Sequence, residues 1–274
     1  MEATRSSGAS SSTPPAWALD LDGVVWLADD PIPGSAAAIA RLRTAGHHVV
    51  FVTNFSWGRR GDLAAKLERH GIDPRDDLLT SSMAAAALVE PGERVLVVGG
   101  PGIVEALEVR GVEVVTVEEP AARTAVVDAV MVGMDPTFDY GRMTIAATAV
   151  RNGARLLATN DDSTYPTADG PVPGGGAILA SIATAAGVVP VVAGKPNEPI
   201  AALVRDRCGA SGIMVGDRPD TDGRFATTLG WEFGLVLTGT VTAADLPVEP
   251  TPDRIASSLA VLVDDVLSGR ASDR

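Results

Sequence analysis

Apolar and polar positions alternate along this chain in two recurring forms: short runs rich in valine, leucine and isoleucine, and longer alanine-rich segments with a helical period. The short runs predict buried strands, and the longer segments predict helices. Strands that alternate with helices indicate an α/β protein with a parallel sheet, because parallel strands need a long crossover connection. The predicted strands are 16–21, 48–53, 78–80, 94–99, 112–117, 125–133, 155–159, 189–194, 212–216 and 233–239. The predicted helices are 34–45, 59–70, 101–110, 139–152, 177–186, 197–208, 220–229 and 254–267.

The spacing of these elements indicates how the chain is organised. Its 274 residues can bury one large core or two smaller ones. A second set of strands and helices begins near residue 94, after the alanine-rich segment 81–90. A glycine- and proline-rich stretch, 160–176, then interrupts the regular pattern. Loops of this length in compact domains are usually functional or act as hinges, so we expect this stretch to matter for function.

Charge and composition narrow the range of functions. The formal net charge is -13, and no basic stripe is available for a nucleic acid or an anionic membrane. A small anionic substrate is still compatible, because a local cation can outweigh the global field. Cys208 is the single cysteine, which excludes an intramolecular disulfide and a cysteine-rich metal site. Residues 1–15 are rich in serine and proline and predict a flexible tail, not a signal peptide, so we expect a cytoplasmic protein.

Four polar clusters each follow a predicted strand, and the first is Asp20-Leu21-Asp22-Gly23. Open parallel sheets bind ligands at the carboxyl ends of their strands, so the four clusters are expected to converge. Carboxylates two positions apart on a strand face the same way, and they repel unless a cation lies between them or one holds a proton. One can then act as a nucleophile and the other as a general acid/base, while Gly23 allows a sharp turn. A turn with two solvated acids explains this motif alone equally well.

The second and third clusters are Thr53-Asn54 and Lys195. A hydroxyl and an amide at a strand end can donate hydrogen bonds to phosphate oxygens, although turn chemistry or helix capping alone is the commoner explanation. Among 22 basic residues only Lys66 and Lys195 are lysines. A lysine retained against that bias suggests a site that needs a compact point charge and not a planar guanidinium. Lys66 lies in a polar helical face and needs no such explanation.

The fourth cluster is acidic and runs from Gly216 to Asp222, directly after the predicted strand 212–216. Asp217, Asp220 and Asp222 supply hard oxygen ligands of the kind that Mg²⁺ prefers. Acids at this position can also simply favour the positive end of a helix dipole. Together with the carboxylate pair of the first cluster, they favour a metal site.

Four segments resemble, in their order along the chain, the four motifs of the haloacid dehalogenase (HAD) superfamily. They are DLDGVVW (20–26), VTNFS (52–56), GKPNEP (194–199) and GDRPDTD (216–222). The long segment between the second and third motifs resembles the cap of its NagD-like, class IIA phosphatases. The resemblance implies a Rossmann-like parallel-sheet core with an inserted α/β cap domain. The core would consist of residues 16–81 and 189–274, and the cap of residues 82–188. It also implies a homodimer formed through the cap as a candidate assembly.

The resemblance implies a role for each motif residue. Asp20 would be the nucleophile, and Asp22 the general acid/base, with its backbone carbonyl on the metal. Gly23, Thr53 and the backbone near Asn54 would hold the phosphoryl group. Lys195 would offset negative charge on the nucleophile and the phosphate. The Mg²⁺ ligands would be Asp20, Asp22 and Asp217, with Asp222 acting through water or orienting the site.

The function implied is a magnesium-dependent phosphatase that hydrolyses a small phosphomonoester through an aspartyl-phosphate. Sugar phosphates, glycerol phosphate, phosphoglycolate and nucleotides are the implied substrate types, and the sequence does not separate them. A phosphotransferase or mutase could use the same intermediate. A non-catalytic phosphate-binding module is a further alternative, but it would be expected to lack a catalytic carboxylate or the lysine, and this chain has them all.

The sequence also departs from the family pattern in two places. Phe55 stands where the family usually has a second asparagine, and Gly223-Arg224 replaces the usual aliphatic start of the following helix. Neither is a catalytic position, so we expect a changed pocket shape and not lost chemistry. Trp26 and Trp57 are expected to be packing residues, and the sequence leaves open whether they or Phe55 line the pocket.

Overall fold

The computed structural model describes residues 14–167 and 170–270. Most of the tail predicted over residues 1–15 lies outside the described residues, as do residues 168–169. The described chain contains two parallel sheets with helices packed against them, together with two short hairpins. The predicted α/β class, a Rossmann-like parallel-sheet core with an inserted α/β unit, is confirmed. None of the helices in the described ranges is long and apolar enough to cross a membrane.

The first sheet has six parallel strands, with β1 near its centre. Its order is β15-β14-β13-β1-β4-β5. The strands are β1 (Ala16–Leu19), β4 (Val49–Thr53), β5 (Leu78–Thr80), β13 (Gly212–Gly216), β14 (Glu232–Val236) and β15 (Arg254–Ala256).

Both faces of this sheet are buried. Ala16 and Ala18 pack into one apolar cluster, whereas Trp17 and Leu19 pack into another on the opposite face. This is the alternation expected of a strand covered by helices on both sides, and it explains why the central strands are continuous apolar runs. One face is covered by α1 (Ser35–Thr44), α2 (Arg60–Arg69) and α9 (Leu259–Leu267), and the other by α3 (Ser81–Ala86), α7 (Glu198–Cys208) and α8 (Arg224–Leu229).

The second sheet has five parallel strands in the order β12-β9-β8-β6-β7. The strands are β6 (Arg94–Val98), β7 (Glu113–Thr116), β8 (Ala129–Val132), β9 (Arg155–Ala158) and β12 (Val191–Val192), and the helices are α4 (Pro101–Val109), α5 (Tyr140–Arg151) and α6 (Gly175–Ala186). Val97 and Met131 share an apolar cluster with Val50 of the first sheet. The two sheets therefore pack around a common layer.

Two antiparallel hairpins approach the sheet ends. The first joins β2 (Trp26–Leu27) to β3 (Asp30–Pro31) and begins at the last residue of the first motif. The second joins β10 (Thr164–Thr167) to β11 (Gly170–Pro173). The stretch 160–176 was expected to be irregular, so this second hairpin is a difference from the prediction. Its residues lack the apolar alternation from which strands are normally recognised.

Two further differences involve short edge strands. Residues 254–267 were predicted as one helix, but Arg254–Ala256 pair with β14 and the helix begins only after Ser258, whose hydroxyl accepts from Val261 N. The strand predicted over 189–194 is limited to Val191 and Val192, which pair with β9 in the second sheet. The chain therefore returns to the layers around the first sheet only beyond β12. Edge pairings of two or three residues depend on tertiary position, which a local pattern does not encode.

Candidate active site

A cavity of about 600 Å³ lies at the carboxyl ends of the first sheet's strands. Residues from all four motifs line it, including Asp20, Thr53, Lys195 and Asp217. The convergence of the clusters at Asp20, Thr53 and Asp217 follows from the topology, because β1, β4 and β13 are parallel neighbours and end at the same edge. Lys195 reaches the same cavity from beyond β12 of the second sheet. Gly23, Asp22 and Asn54 line the same cavity, whereas Asp222 lies behind it with no exposed surface.

Asp20 is held at the end of β1 by three hydrogen bonds. Its backbone N–H donates to Val215 O at 2.9 Å, which continues the pairing with β13. Its Oδ1 accepts from Leu21 N at 2.8 Å and from Lys195 Nζ at 2.9 Å. Among the described residues no donor reaches Oδ2, so one oxygen is fixed and the other is available to react.

Lys195 lies between two carboxylates and is 1 % exposed. Its Nζ is 2.9 Å from Asp20 Oδ1 and 2.7 Å from Asp222 Oδ1. Burial alone would lower the pKa of Lys195, but Asp20 and Asp222 outweigh it and raise that pKa above its usual value. The ammonium therefore stays charged, as expected for the point charge inferred from its rarity in the sequence.

Three carboxylates crowd around this single lysine. One oxygen each from Asp20, Asp217 and Asp222 lies within 4.8 Å of the others. Burial raises the pKa of each of these acids to about 6, and like charges add to the shift. One buried cation against three acids leaves an excess of negative charge. Hard oxygen donors with such an excess fit a divalent cation of the Mg²⁺ or Ca²⁺ type.

Glycines allow these carboxylates to sit against the backbone. A Cβ atom at Gly239 would lie 2.1 Å from Asp217 Oδ2, and one at Gly216 would lie 2.1 Å from Asp222 Cγ. Gly23 has a φ of 78°, and its Cβ would lie 2.5 Å from Asp217 Cγ. Asp217 Oδ2 also accepts from Thr240 N at 2.6 Å. Any side chain at these glycines would displace the acid it touches.

The side chain of Asp22 is not part of the carboxylate cluster. Its Oδ1 accepts from the indole Nε1 of Trp26 at 3.0 Å. Burial raises the pKa of Asp22, while Trp26 and Lys66 act against that shift. Asp22 was predicted as a metal ligand through its backbone carbonyl, and this orientation leaves its carboxylate free for proton transfer.

Thr53 and Asn54 end β4 at the same rim. Thr53 is 2 % exposed, and its Oγ1 accepts from Phe55 N at 3.0 Å, which leaves the hydroxyl proton available to donate. The Asn54 side chain is engaged within the protein: Oδ1 accepts from Lys195 N at 2.8 Å, and Nδ2 donates to Lys195 O and to Asp162 Oδ2. Asn54 thus holds the Lys195 backbone. Its own carbonyl accepts from Ser81 and Asn160, so its backbone N–H remains for a ligand.

The segment that carries the second sheet, called the second unit below, contributes residues that the motif analysis did not single out. Asn160 Nδ2 donates to Asn54 O at 2.9 Å, and Arg218 Nη1 is 3.5 Å from Asp162 Oδ1. Tyr165, from the second hairpin, contacts the ring of Phe55 with centroids 5.9 Å apart. The only sequence signal for this wall was the long interrupted stretch 160–176.

The aromatic residues left open by the sequence fall into two groups. Phe55 lines the cavity, whereas Trp26 is 1 % exposed and does not line it, and Trp57 packs against Gly100. Lys66, interpreted from the sequence as an ordinary residue of a polar helix face, also contacts the first hairpin. Its Nζ donates to Ala28 O at 2.6 Å and lies 4.5 Å from the centre of the Trp26 ring.

Comparisons with known proteins agree with this geometry. Residues 17–113 match the family described as haloacid dehalogenase-like hydrolase, and residues 192–262 match the HAD-hydrolase-like family. An acid sugar phosphatase of Staphylococcus saprophyticus is 32% identical over 246 residues, which cover 86% of this chain and 92% of that protein.

Two solved structures are similar over most of the chain. The p-nitrophenyl phosphatase from Archaeoglobus fulgidus has a TM-score of 0.83 and 31% identity, covering 91% of this chain and 98% of its own. The glycerol phosphate phosphatase from Mycobacterium tuberculosis has a TM-score of 0.81 and 33% identity, covering 90% of this chain and 74% of its own in the calcium complex. It has also been solved with magnesium. This chain belongs to the haloacid dehalogenase-like hydrolases, and its predicted place among the NagD-like phosphatases is confirmed.

The excess of buried carboxylates predicts that a divalent cation stabilises the fold. Saturating Mg²⁺ should raise the melting temperature of the wild type by roughly 5 °C or more, because binding to the folded state alone stabilises it. Asp217→Asn should abolish most of this rise. Asp220→Asn is the matched control, since Asp220 lies in the same turn with an exposed side chain. An equal rise in wild type and Asp217→Asn would contradict the assignment.

The close approach at Gly239 predicts a specific loss of metal affinity. Gly239→Ala should weaken Mg²⁺ binding, measured by calorimetry, about tenfold or more, because the new methyl group must displace the Asp217 carboxylate. Gly61→Ala is the control: no atom lies within 4 Å of its added Cβ, and alanine should stabilise that helix by about 0.5–1 kcal/mol. Unchanged Mg²⁺ affinity in Gly239→Ala would show that Asp217 is not a ligand.

Proposed function

We propose that this protein is a magnesium-dependent phosphatase that hydrolyses small phosphomonoesters through an aspartyl-phosphate on Asp20. The observation that carries the proposal is the arrangement at Asp20: Oδ1 is held by Lys195 Nζ and Leu21 N, and no described donor occupies Oδ2. A carboxylate with one fixed and one free oxygen, facing a cavity, is suited to nucleophilic attack.

The first step transfers the phosphoryl group to the enzyme. Oδ2 of Asp20 attacks phosphorus, the bond between phosphorus and the ester oxygen breaks, and the leaving alkoxide takes a proton from Asp22. Lys195 offsets the negative charge that gathers where the phosphate meets the carboxylate, and the Thr53 hydroxyl donates to a phosphoryl oxygen. Phosphoryl transfer depends mainly on such positioning and charge neutralisation.

The second step regenerates the enzyme. Asp22, now a carboxylate, accepts a proton from water, and the water oxygen attacks phosphorus as the bond to Asp20 breaks. Inorganic phosphate leaves, and both aspartates return to their starting states. Asp20, Asp217 and the Asp22 carbonyl would hold a bound Mg²⁺, with Asp222 acting through water or orienting the site. The ion would neutralise further negative charge on the phosphate.

The substrate is small because of how the cavity is closed. We infer that residues 82–188 act as the cap: Asn160 and Asp162 bond to Asn54, and Tyr165 packs on Phe55. Such closure excludes bulk water and large substrates. The cavity, with a volume of about 600 Å³, has room for a sugar, polyol, glycolate or nucleotide phosphate. The names of the similar proteins support sugar and glycerol phosphates within that group.

Loss of the nucleophile should abolish activity. Asp20→Asn keeps the size of the side chain but removes the attacking carboxylate, so turnover of p-nitrophenyl phosphate with MgCl₂ should fall by roughly 10³-fold or more. Asp139→Asn is the matched control, because asparagine can replace aspartate at the N-cap of α5. Turnover retained in Asp20→Asn would refute the assignment of the nucleophile.

The same assay can separate hydrolysis from phosphoryl transfer to another acceptor. With glycerol or glucose added, a phosphatase should release one inorganic phosphate for each nitrophenol. A deficit of inorganic phosphate, matched by a new phosphomonoester, would instead identify a phosphotransferase.

A further inference from the structure

The carboxylate of Asp22 is aimed by a single side chain. Among the described residues, the indole N–H of Trp26 is its only hydrogen-bond donor, at 3.0 Å. Trp26 is 1 % exposed and packs in the same apolar cluster as Leu21 and Val24. A buried indole has two side-chain torsions and a fixed donor direction, so it defines where the carboxylate points.

Lys66 contacts the ring of this tryptophan. Its ammonium lies 4.5 Å from the centre of the Trp26 ring, within the range of a cation–π contact. It also donates to Ala28 O at 2.6 Å and lies 3.2 Å from Asp29 Oδ1. Lys66 therefore connects helix α2 to both the ring and the tip of the first hairpin.

The hairpin tip needs such support. Ala28 has a φ of 51°, a left-handed conformation that is costly for a residue with a Cβ and persists only where its surroundings impose it. Leu27 and Ala28 line the cavity beside Asp22. Through the Ala28 carbonyl, Lys66 supports a segment that both forms the cavity wall and presents Trp26 to Asp22.

We propose that Trp26 and Lys66 are positioning residues that aim the Asp22 carboxylate at the leaving oxygen and at the attacking water. This inference rests on the proposed phosphatase function and extends it to two residues outside the cavity lining. It also gives a structural role to Lys66, one of only two lysines among the 22 basic residues.

The test uses the unequal demand of two substrates for a proton donor. p-Nitrophenolate is a weak base and leaves without protonation, whereas phenolate, with a conjugate acid of pKa about 10, needs a proton from Asp22. Both esters are aryl phosphates of similar shape, so binding differences are small. The ratio kcat/KM reports the steps up to loss of the leaving group, and kcat also reports hydrolysis of the aspartyl-phosphate, in which Asp22 activates water.

Trp26→Phe removes the indole donor and keeps an aromatic ring, and Lys66→Met removes the charge and keeps the length. In each variant, kcat/KM for phenyl phosphate should fall about tenfold or more, while that for p-nitrophenyl phosphate changes less than about threefold. The kcat for p-nitrophenyl phosphate should fall as well, with a burst of nitrophenolate as phosphoenzyme accumulates.

Matched controls separate positioning from general damage. Trp17→Phe makes the same change in the same apolar cluster, at an indole Nε1 that has no partner among the described residues. Arg69→Met removes a positive charge from the exposed face of the same helix α2. Both should keep the wild-type ratio between the two substrates, even if melting temperatures shift.

The outcomes are distinct. If the wild type hydrolyses neither ester with MgCl₂, the proposed function fails, and this inference fails with it. The wild type can instead be active while kcat/KM in Trp26→Phe and Lys66→Met falls equally for both esters, or falls for neither. In that case the positioning role alone is overturned. Should Trp26→Phe fail to fold, the Lys66→Met result decides in the same way.

Discussion

The structure depends on one buried ionic arrangement, in which the Lys195 ammonium joins Asp20 at the end of β1 to Asp222 beyond the end of β13. An unpaired ammonium at 1 % exposure would be strongly destabilising, so the lysine and its partners are compatible only as a set. The Asn54 side chain extends the arrangement by clamping the Lys195 backbone from both sides. Chain segments more than a hundred residues apart, which carry Asp20 and Lys195, are thus held within hydrogen-bonding distance of each other.

The same arrangement carries more negative than positive charge. Three buried acids share one lysine, and burial, together with the repulsion between the acids, raises the pKa of each of them. A divalent cation bound among these carboxylates would offset that excess of negative charge. The glycines at positions 23, 216 and 239 allow this clustering, because they let carboxylates lie against the backbone where a Cβ atom would not fit.

The two units have different tasks around this centre. The strand ends of the first sheet carry Asp20, Thr53 and Asp217, in a chain that belongs to the haloacid dehalogenase-like hydrolases. The second unit reaches the site through Asn160, Asp162 and Tyr165, where it contacts the strand end that bears Asn54 and Phe55. The carboxylate cluster and the side chains that close the cavity over Asn54 and Phe55 are therefore supplied by separate parts of the chain.

The sequence by itself determined the α/β class, the central strands and the four clusters around Asp20, Thr53, Lys195 and Asp217, because apolar runs and residues at strand ends are local signals. It could not determine that Val191–Val192 join the second sheet, that Arg254–Ala256 form an edge strand, or that 160–176 contain a hairpin. It also missed Lys66, whose helix looks like an ordinary polar face. Each of these depends on which distant backbone or ring lies opposite, and such pairings exist only once the chain has packed.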